Sequence, residues 1–243
     1  MAIASGRVGT VTLRDQEVLA DLYWARFLCT RQIAGLRFPS FESARVRLYA
    51  LMRKGLLVNQ VHGSGLILWR LSREGFERQR LSLDRQKEPT PDFLQSPKID
   101  HYLEANDVYV ELASRLESLL VSYSSWEWRN EGRSYLRYEL DGRRFAHQPD
   151  AEILLPGRLY FLERQSSRAR YSSAALYQKI ESYRTYIERI LRPEERTQVV
   201  FACDLQRERQ AAVEAGQHHG VDVVASSVKG IASHIEKEAP KLP

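Results

Sequence analysis

The chain has 243 residues, of which 43% are hydrophobic and 28% charged, as in folded globular proteins and unlike disordered or fibrous ones. Its two cysteines, Cys29 and Cys203, lie far apart, so neither a disulfide framework nor a cysteine-based zinc site is predicted. The sequence begins without the apolar run of a signal peptide and lacks the roughly 18 consecutive apolar residues of a membrane span. We therefore expect a cytoplasmic protein without membrane contact.

Positive charge is concentrated in the N-terminal part. Residues 1–98 hold 16 Lys and Arg against 9 Asp and Glu, a net charge of +7, whereas the remaining residues hold 20 against 22. This asymmetry indicates that the N-terminal part meets a polyanion and that the C-terminal part has another task. Three prolines in a polar stretch mark residues 84–98 as a linker, so we predict two domains, residues 1–83 and 99–243.

The N-terminal domain reads as three helices followed by a hairpin. Apolar periodicity behind N-cap threonines and serines predicts helices over residues 13–28, 31–36 and 40–54. Alternation predicts strands over residues 56–61 and 66–71, and Ser72 is predicted to cap a further short helix. This order is typical of a winged helix-turn-helix, in which the third helix reads duplex DNA and the hairpin is the wing. On that helix Phe41, Ala44 and Leu48 are expected to face the core.

Polar and basic side chains on the third helix and the hairpin are the candidate DNA contacts. They are Ser43, Arg45, Arg47, Arg53, Lys54 and Arg70. Ser43 and Arg47 lie near the helix start, where side chains reach base edges, whereas Arg53, Lys54 and Arg70 are expected to contact phosphates. For Arg45, pairing with Glu42 is the alternative, and a solvated helix face is the alternative for the whole set.

The C-terminal domain reads as a mixed sheet flanked by helices. Helices are predicted over residues 100–120, 172–191 and 206–217, and strands over residues 126–129, 135–139, 151–155, 159–164, 198–203 and 221–225. Residues 198–203 show no alternation, which is typical of a buried central strand. The fold class predicted for the chain is therefore α+β or α/β.

Two carboxylates lie at adjoining ends of one predicted hairpin. Asp150 begins the first strand and Glu163 ends the second, with Pro156 and Gly157 as the turn. Antiparallel pairing sets the start of one strand beside the end of the other, so both carboxylates can converge. Two carboxylates and a backbone carbonyl are ligands that Mg²⁺ or Mn²⁺ prefers for phosphodiester chemistry. The alternative is a surface hairpin with ordinary solvated charges.

The C-terminal order of helix, three strands, helix and strand, with Pro-Asp at 149–150 and Glu-Arg-Gln at 163–165, resembles the PD-(D/E)xK nuclease fold. The whole chain, over roughly residues 10–225, is similar to the replication-relaxation family of bacterial plasmids and mobile elements. The stretches that carry this likeness are residues 101–108, 149–150, 161–163 and 179–183.

The resemblance implies that Asp150 and Glu163 bind Mg²⁺ or Mn²⁺. In the nuclease pattern a lysine stands two residues beyond the glutamate, but this chain has Gln165 there. Glutamine is neutral and cannot stabilise the charge of a developing pentavalent phosphate, although its amide can position a water molecule. Lys179 on the following helix is the candidate to supply the missing charge, and a solvated lysine beside the core is the alternative.

Two functions remain open from the sequence. The first is a metal-dependent DNA endonuclease acting on plasmid, phage or other mobile-element DNA, with Asp150, Glu163, Gln165 and Lys179 as catalytic residues. The second is a non-catalytic DNA-binding replication or mobilisation factor, or a transcriptional regulator, that keeps a degenerate nuclease fold. Double-stranded DNA is the expected partner in both. A homodimer would suit paired half-sites, and a partner protein of a mobile-element or defence system is also compatible.

Overall fold

The computed structural model describes residues 10–83, 98–119, 125–165, 172–191 and 196–239. Within these ranges the chain is a mixed α+β protein with eight helices and ten strands. It divides into two compact units, Met1–Leu94 and Gln95–Pro243. The predicted linker lies outside the described residues except for Lys98, so the domain boundaries stay a prediction. None of the helices in the described ranges is long and apolar enough to cross a membrane.

The first unit consists of helices around a small sheet. Its elements are α1 (Leu13–Ala25), β1 (Leu28–Cys29), α2 (Thr30–Arg37), α3 (Phe41–Arg53), β2 (Leu57–Val61), β3 (Ile67–Leu71) and α4 (Arg73–Ser82). The strands pair antiparallel in the order β1-β3-β2. Ser40 caps α3 by accepting the amide of Ser43, and Ser72 caps α4 in the same way at Gly75.

The first unit is held by an apolar core and by one buried ion pair. Leu48 and Leu51 of α3 are fully buried, and the indole of Trp69 donates to the Thr30 hydroxyl at 2.9 Å. Asp21 on α1 accepts two hydrogen bonds from Arg37 at 2.7 and 3.0 Å, with both side chains buried. A forked pair of this kind fixes α2 against α1 because its geometry tolerates little displacement.

The second unit is a mixed sheet covered by helices. Its elements are α5 (Ile99–Ser118), β4 (Glu127–Asn130), β5 (Leu136–Leu140), β6 (Arg143–His147), β7 (Ala151–Leu155), β8 (Arg158–Gln165), α6 (Ser173–Arg189), β9 (Arg196–Cys203), α7 (Gln206–His219), β10 (Val223–Ser226) and α8 (Val228–Glu238). Five strands form a sheet in the order β10-β9-β8-β7-β4. Strands β8, β9 and β10 run parallel, whereas β7 and β4 pair antiparallel. Strands β5 and β6 form a separate ribbon.

The core of the second unit explains why β8 and β9 lack polar alternation. Phe161 and Phe201 on these strands pack with Ile180 and Tyr183 of α6 and with alanines of α7. Trp126 and Trp128 are buried near Tyr109 of α5, with ring centroids 5.9 and 5.4 Å from that ring. Central strands buried on both faces read as continuous apolar runs.

Three elements were not anticipated from the sequence: β1, β6 and α8. Strand β1 is only two residues long. Strand β6 is largely exposed and carries no apolar alternation that would predict it. Its signal was the turn before it, where Asp141 and Gly142 have φ angles of 52° and 72°. An Asp-Gly pair with two positive φ angles is a preferred two-residue hairpin turn.

Candidate functional site

The hairpin of β7 and β8 brings Asp150 and Glu163 to neighbouring positions. Ala151 pairs with Leu162, and the amide of Asp150 donates to the Leu162 carbonyl at 3.0 Å. Continuing this register by one residue sets Asp150 beside Glu163. Both side chains lie in the interior of the unit, Asp150 at 8% exposure and Glu163 at 0%. The pair is therefore unlike the solvated surface charges that were the alternative interpretation.

Asp150 is held by a histidine and by a backbone amide. The Nε2 atom of His101 on α5 lies 2.7 Å from Oδ1, and the amide of Arg164 donates to Oδ2 at 2.6 Å. The hydrogen bond to Asp150 raises the pKa of His101, against the opposing effect of burial. The contact therefore favours the protonated imidazole of His101.

Glu163 is held by two side chains of α6. The Nζ of Lys179 lies 2.9 Å from Oε1, and the Tyr183 hydroxyl donates to the same oxygen. Burial raises the pKa of Glu163, although the Lys179 ammonium and the Tyr183 hydroxyl both act to lower it. Lys179 also donates to the Gln148 carbonyl at 3.0 Å, which places its charge between the two strands.

The fit of this acid pair to a divalent metal can be judged from its hydrogen bonds. Both oxygens of Asp150 accept hydrogen bonds, and Oε1 of Glu163 accepts two. Among the described residues, no group of three His, Cys, Asp or Glu side chains is placed to hold a metal ion. Because His101 and Lys179 already pair with these oxygens, a bound Mg²⁺ or Mn²⁺ would have to replace one of these contacts.

Gln165 points to different surroundings from the acid pair. It is buried on β8, and its Oε1 lies 3.9 Å from the thiol of Cys203 on the neighbouring strand β9. The structure thus places Asp150, Glu163 and Lys179 together and sets the amide of Gln165 against β9. Burial raises the pKa of the Cys203 thiol to about 12, so this group remains a neutral thiol.

No role was predicted for His101, which contacts Asp150 in this cluster. It lies 49 positions from Asp150 in the sequence, so no local spacing predicts their contact. The available signal was its position at the start of the stretch 101–108, which carried the family resemblance.

His147, at the end of β6, lies beside the same cluster. Its ring centroid is 4.1 Å from that of Tyr183, and its Nδ1 lies 3.2 Å from the Ser182 hydroxyl. Burial, aided by the charge of Lys179, lowers the pKa of His147 from 6.5 to about 3. The imidazole is therefore neutral in the folded state over the physiological pH range.

This shift predicts acid sensitivity of folding. Below pH 6.5 the unfolded chain protonates His147 and the folded chain does not, so stability falls with decreasing pH until about pH 3. Between pH 7 and 5 the loss from this residue is about 2 kcal/mol. Urea unfolding of wild type and His147→Asn at both pH values measures it, because the variant lacks this contribution. Equal pH dependence in the two proteins would contradict the prediction.

The candidate DNA contacts on α3 have different surroundings. Arg47 does not extend outward: its Nε donates to Asp15 on α1 at 2.6 Å, and the Asp15 side chain is fully buried. Ser43 takes part in the cap of α3, with its hydroxyl donating to the Ser40 carbonyl at 2.8 Å. Arg45 pairs with Glu42 at 2.7 and 2.9 Å on the exposed face, the alternative considered for it.

The remaining basic candidates lie at the end of α3 and on the hairpin. Arg53 is exposed, Lys54 approaches the Thr10 carbonyl at 3.4 Å, and Arg70 donates to the Leu71 carbonyl at 3.2 Å. The expectation that Phe41 faces the core was wrong, because it is 52% exposed and the inward stripe begins one turn later at Ala44. Val46 is 57% exposed, so the outward face of α3 carries apolar as well as basic side chains.

The Replication-relaxation family model matches residues 19–201, and the chain belongs to that family. Membership points to a DNA-associated role in replication or mobilisation. No curated protein sequence matches the chain. Among solved structures, the chain is similar to protein VC1899 from Vibrio cholerae, with 12% sequence identity and a TM-score of 0.38. That match covers 92% of this chain and 50% of VC1899, so the chain spans about half the length of that protein.

Proposed function

We propose that this chain is a DNA-binding replication or mobilisation factor whose first unit docks on duplex DNA as a winged helix-turn-helix. The observation that carries the proposal is the outward face of α3, where Arg45, Val46 and Arg53 are exposed. A helix preceded by two helices and followed by a hairpin is the element that enters the major groove in this class. The family and the net charge of +7 over residues 1–98 also support a polyanionic partner.

The exposed pair of Arg45 and Glu42 is compatible with DNA contact. Fully exposed pairs of this kind add little stability, so a base edge or phosphate can replace Glu42 at little cost. Arginine binds guanine through two parallel hydrogen bonds, whereas an apolar side chain such as Val46 suits the methyl group of thymine. Arg53, about two helical turns further along α3, suits a phosphate.

Equilibrium binding to a labelled duplex tests this proposal. Arg45→Ala/Arg53→Ala in the full chain should weaken binding about tenfold or more. The same variant should reduce the slope of log affinity against log salt by about one for each phosphate that the protein no longer neutralises. Arg73→Ala/Arg78→Ala is the matched control, because it removes two exposed arginines of α4 in the same unit. Equal weakening by both double variants would place the interface elsewhere.

In this proposal the second unit keeps a PD-(D/E)xK-like sheet as an interaction platform. The support is the pairing of the two carboxylates with His101 and Lys179, which offsets their charge without a metal ion. Homodimerisation, a partner protein and a cytoplasmic location stay predictions.

A metal-dependent DNA endonuclease is the second candidate, favoured by one contact. Lys179 lies 2.9 Å from Glu163 and so brings an ammonium to the acid pair, which Gln165 cannot do. If this candidate holds, Asp150 and Glu163 would hold Mg²⁺ or Mn²⁺, which would polarise the scissile phosphate and lower the pKa of a bound water molecule. Titration of the full chain with Mn²⁺, followed by electron paramagnetic resonance, separates the two candidates. Tight binding that Glu163→Gln abolishes would favour the nuclease, whereas no bound Mn²⁺ favours the platform.

A further inference from the structure

The ribbon of β5 and β6 stands apart from the five-stranded sheet. Its two strands pair over five residue positions, from Leu136 opposite His147 to Leu140 opposite Arg143, and the turn at Asp141 and Gly142 closes them. Neither strand pairs with a strand of the main sheet in the described parts of the chain. A two-stranded hairpin is marginally stable in water by itself, so packing against the rest of the unit must fix it.

The inner face of the ribbon provides that packing. Tyr138 stacks on Phe145 across the two strands, with ring centroids 5.3 Å apart and an interplanar angle of 13°. Tyr138 also lies 5.4 Å from the ring of Tyr186 on α6, and His147 contacts Tyr183 on the same helix. These contacts fix one face of the ribbon against α6, so the opposite face points away from α6.

The outer face combines exposed aromatic and basic side chains. Tyr135 is 40% exposed, and the Arg137 guanidinium lies over its ring at 4.9 Å from the centroid. Arg144 is exposed on the opposite strand, two positions from Ala146, the partner of Arg137. Residues 133–146 contain four arginines against Glu139 and Asp141, a net charge of +2. An open groove of about 500 Å³ is lined by Tyr135, Arg137, Glu139 and Arg144 of this face, together with Ala146 and with Tyr138 and Phe145.

We propose that this ribbon binds single-stranded DNA, with Tyr135 stacking on a base and Arg137 and Arg144 contacting phosphates. Single-strand binding sites combine a basic track with aromatic rings, because every base offers a ring face once it is unpaired. A duplex hides those faces in its base stack, so an exposed tyrosine flanked by arginines favours the single strand. The inference rests on the proposed DNA-associated function but does not depend on α3 as the duplex reader.

The ribbon is close in sequence to the acid pair of Asp150 and Glu163. Strand β6 ends at His147, and three residues later the chain reaches Asp150. The ribbon that would hold the DNA strand is therefore separated by only a few residues of the chain from Gln148 and Asp150. An unwound origin or transfer region is the kind of DNA that offers such a strand.

Fluorescence anisotropy of a labelled oligo(dT) of about 12 nucleotides with the full chain tests the proposal. Tyr135→Ala should weaken binding about 5- to 100-fold. Tyr135→Phe should bind with an affinity close to that of the wild type, because the aromatic ring remains. Arg137→Ala/Arg144→Ala should reduce the slope of log affinity against log salt by about 1.4. Arg184→Ala/Arg189→Ala is the matched control, because both arginines are exposed on α6 of the same unit. Crosslinking by 5-iododeoxyuridine should map to Tyr135.

Several results would overturn the inference. They are absence of oligo(dT) binding by the wild type, equal weakening by the α6 control, or unchanged affinity of Tyr135→Ala. Tighter binding of oligo(U) RNA than of oligo(dT) would assign the ribbon to RNA instead. If Arg45→Ala/Arg53→Ala loses duplex binding and all ribbon variants keep it, the proposed function stands even when the ribbon proposal fails. Failure of the ribbon proposal can therefore be distinguished from failure of the proposed function.

Discussion

Lys179→Met is expected to lower the free energy of unfolding by about 3–5 kcal/mol, the cost of removing one partner from a buried ion pair. Glu163 is fully buried, and its Oε1 accepts from both Lys179 and Tyr183. Methionine keeps most of the volume of the lysine stem but leaves the carboxylate without its cation. Burial already raises the pKa of Glu163, so loss of the Lys179 ammonium should raise that pKa further and favour the protonated carboxyl group.

A double-mutant cycle with Glu163→Gln shows whether the pair itself causes this loss. Glutamine retains an acceptor for Tyr183 and carries no charge, so Glu163→Gln/Lys179→Met should recover most of the stability lost in Lys179→Met. Urea unfolding monitored by circular dichroism supplies the four values. If the double variant is as unstable as the sum of the single variants, Lys179 acts through packing rather than through Glu163.

Arg47→Met is expected to destabilise the first unit by about 2 kcal/mol, the scale of charged hydrogen bonds to a buried carboxylate. Burial raises the pKa of Asp15, but hydrogen bonds from Arg47 and Thr12 outweigh this and lower it. Removing Arg47 leaves the Asp15 carboxylate buried beside the capped start of α1. Methionine keeps the stem of the side chain, so the loss reports the charge interaction rather than packing.

The same variant separates a structural arginine from a DNA-binding one. Below its unfolding transition, Arg47→Met should bind a duplex within about threefold of the wild type, since its guanidinium is engaged with Asp15. Arg45→Ala/Arg53→Ala should show the reverse, with normal thermal unfolding and weak binding. A large loss of duplex affinity in Arg47→Met without loss of stability would return Arg47 to the base-reading role that its sequence position predicts.

The ion pairs Lys179–Glu163 and Arg47–Asp15 show which features the sequence could predict and which it could not. Local signals predicted β7 and β8 closely, because Pro156 and Gly157 form the turn and the strands follow at once. The same signals predicted the caps at Ser40 and Ser72. Arg47 and Asp15 are 32 positions apart, and helical periodicity could assign Arg47 to an outward face only.

The acid pair shows the same division. Its convergence follows from hairpin pairing, which is local and could be predicted. The contact of His101 with Asp150 could not be predicted, because it depends on how α5 packs against the hairpin, whereas Lys179 was already a candidate for this site from the sequence. The exposed strand β6 was missed because five residues with little burial leave no apolar pattern. The Asp-Gly turn before it was the more informative signal.

The pairing of His101 with Asp150 and of Lys179 with Glu163 gives the acid pair a structural role in the second unit. Lys179 and His101 beside two buried carboxyl groups form a polar cluster that joins α5, the hairpin and α6. Such a cluster specifies how these elements pack, because each charge left unpaired inside the unit costs several kcal/mol. A sheet kept in this way can serve as a platform for DNA or for a partner protein without cutting.

Incubation of supercoiled plasmid with the full chain and Mg²⁺, with duplex binding recorded in the same samples, tests this account most directly. We expect wild type, Asp150→Asn and Glu163→Gln all to bind the plasmid and to leave it supercoiled. Arg45→Ala/Arg53→Ala should bind the plasmid weakly. Nicking that requires Mg²⁺ and disappears in both acid variants while binding persists would contradict it and establish the nuclease.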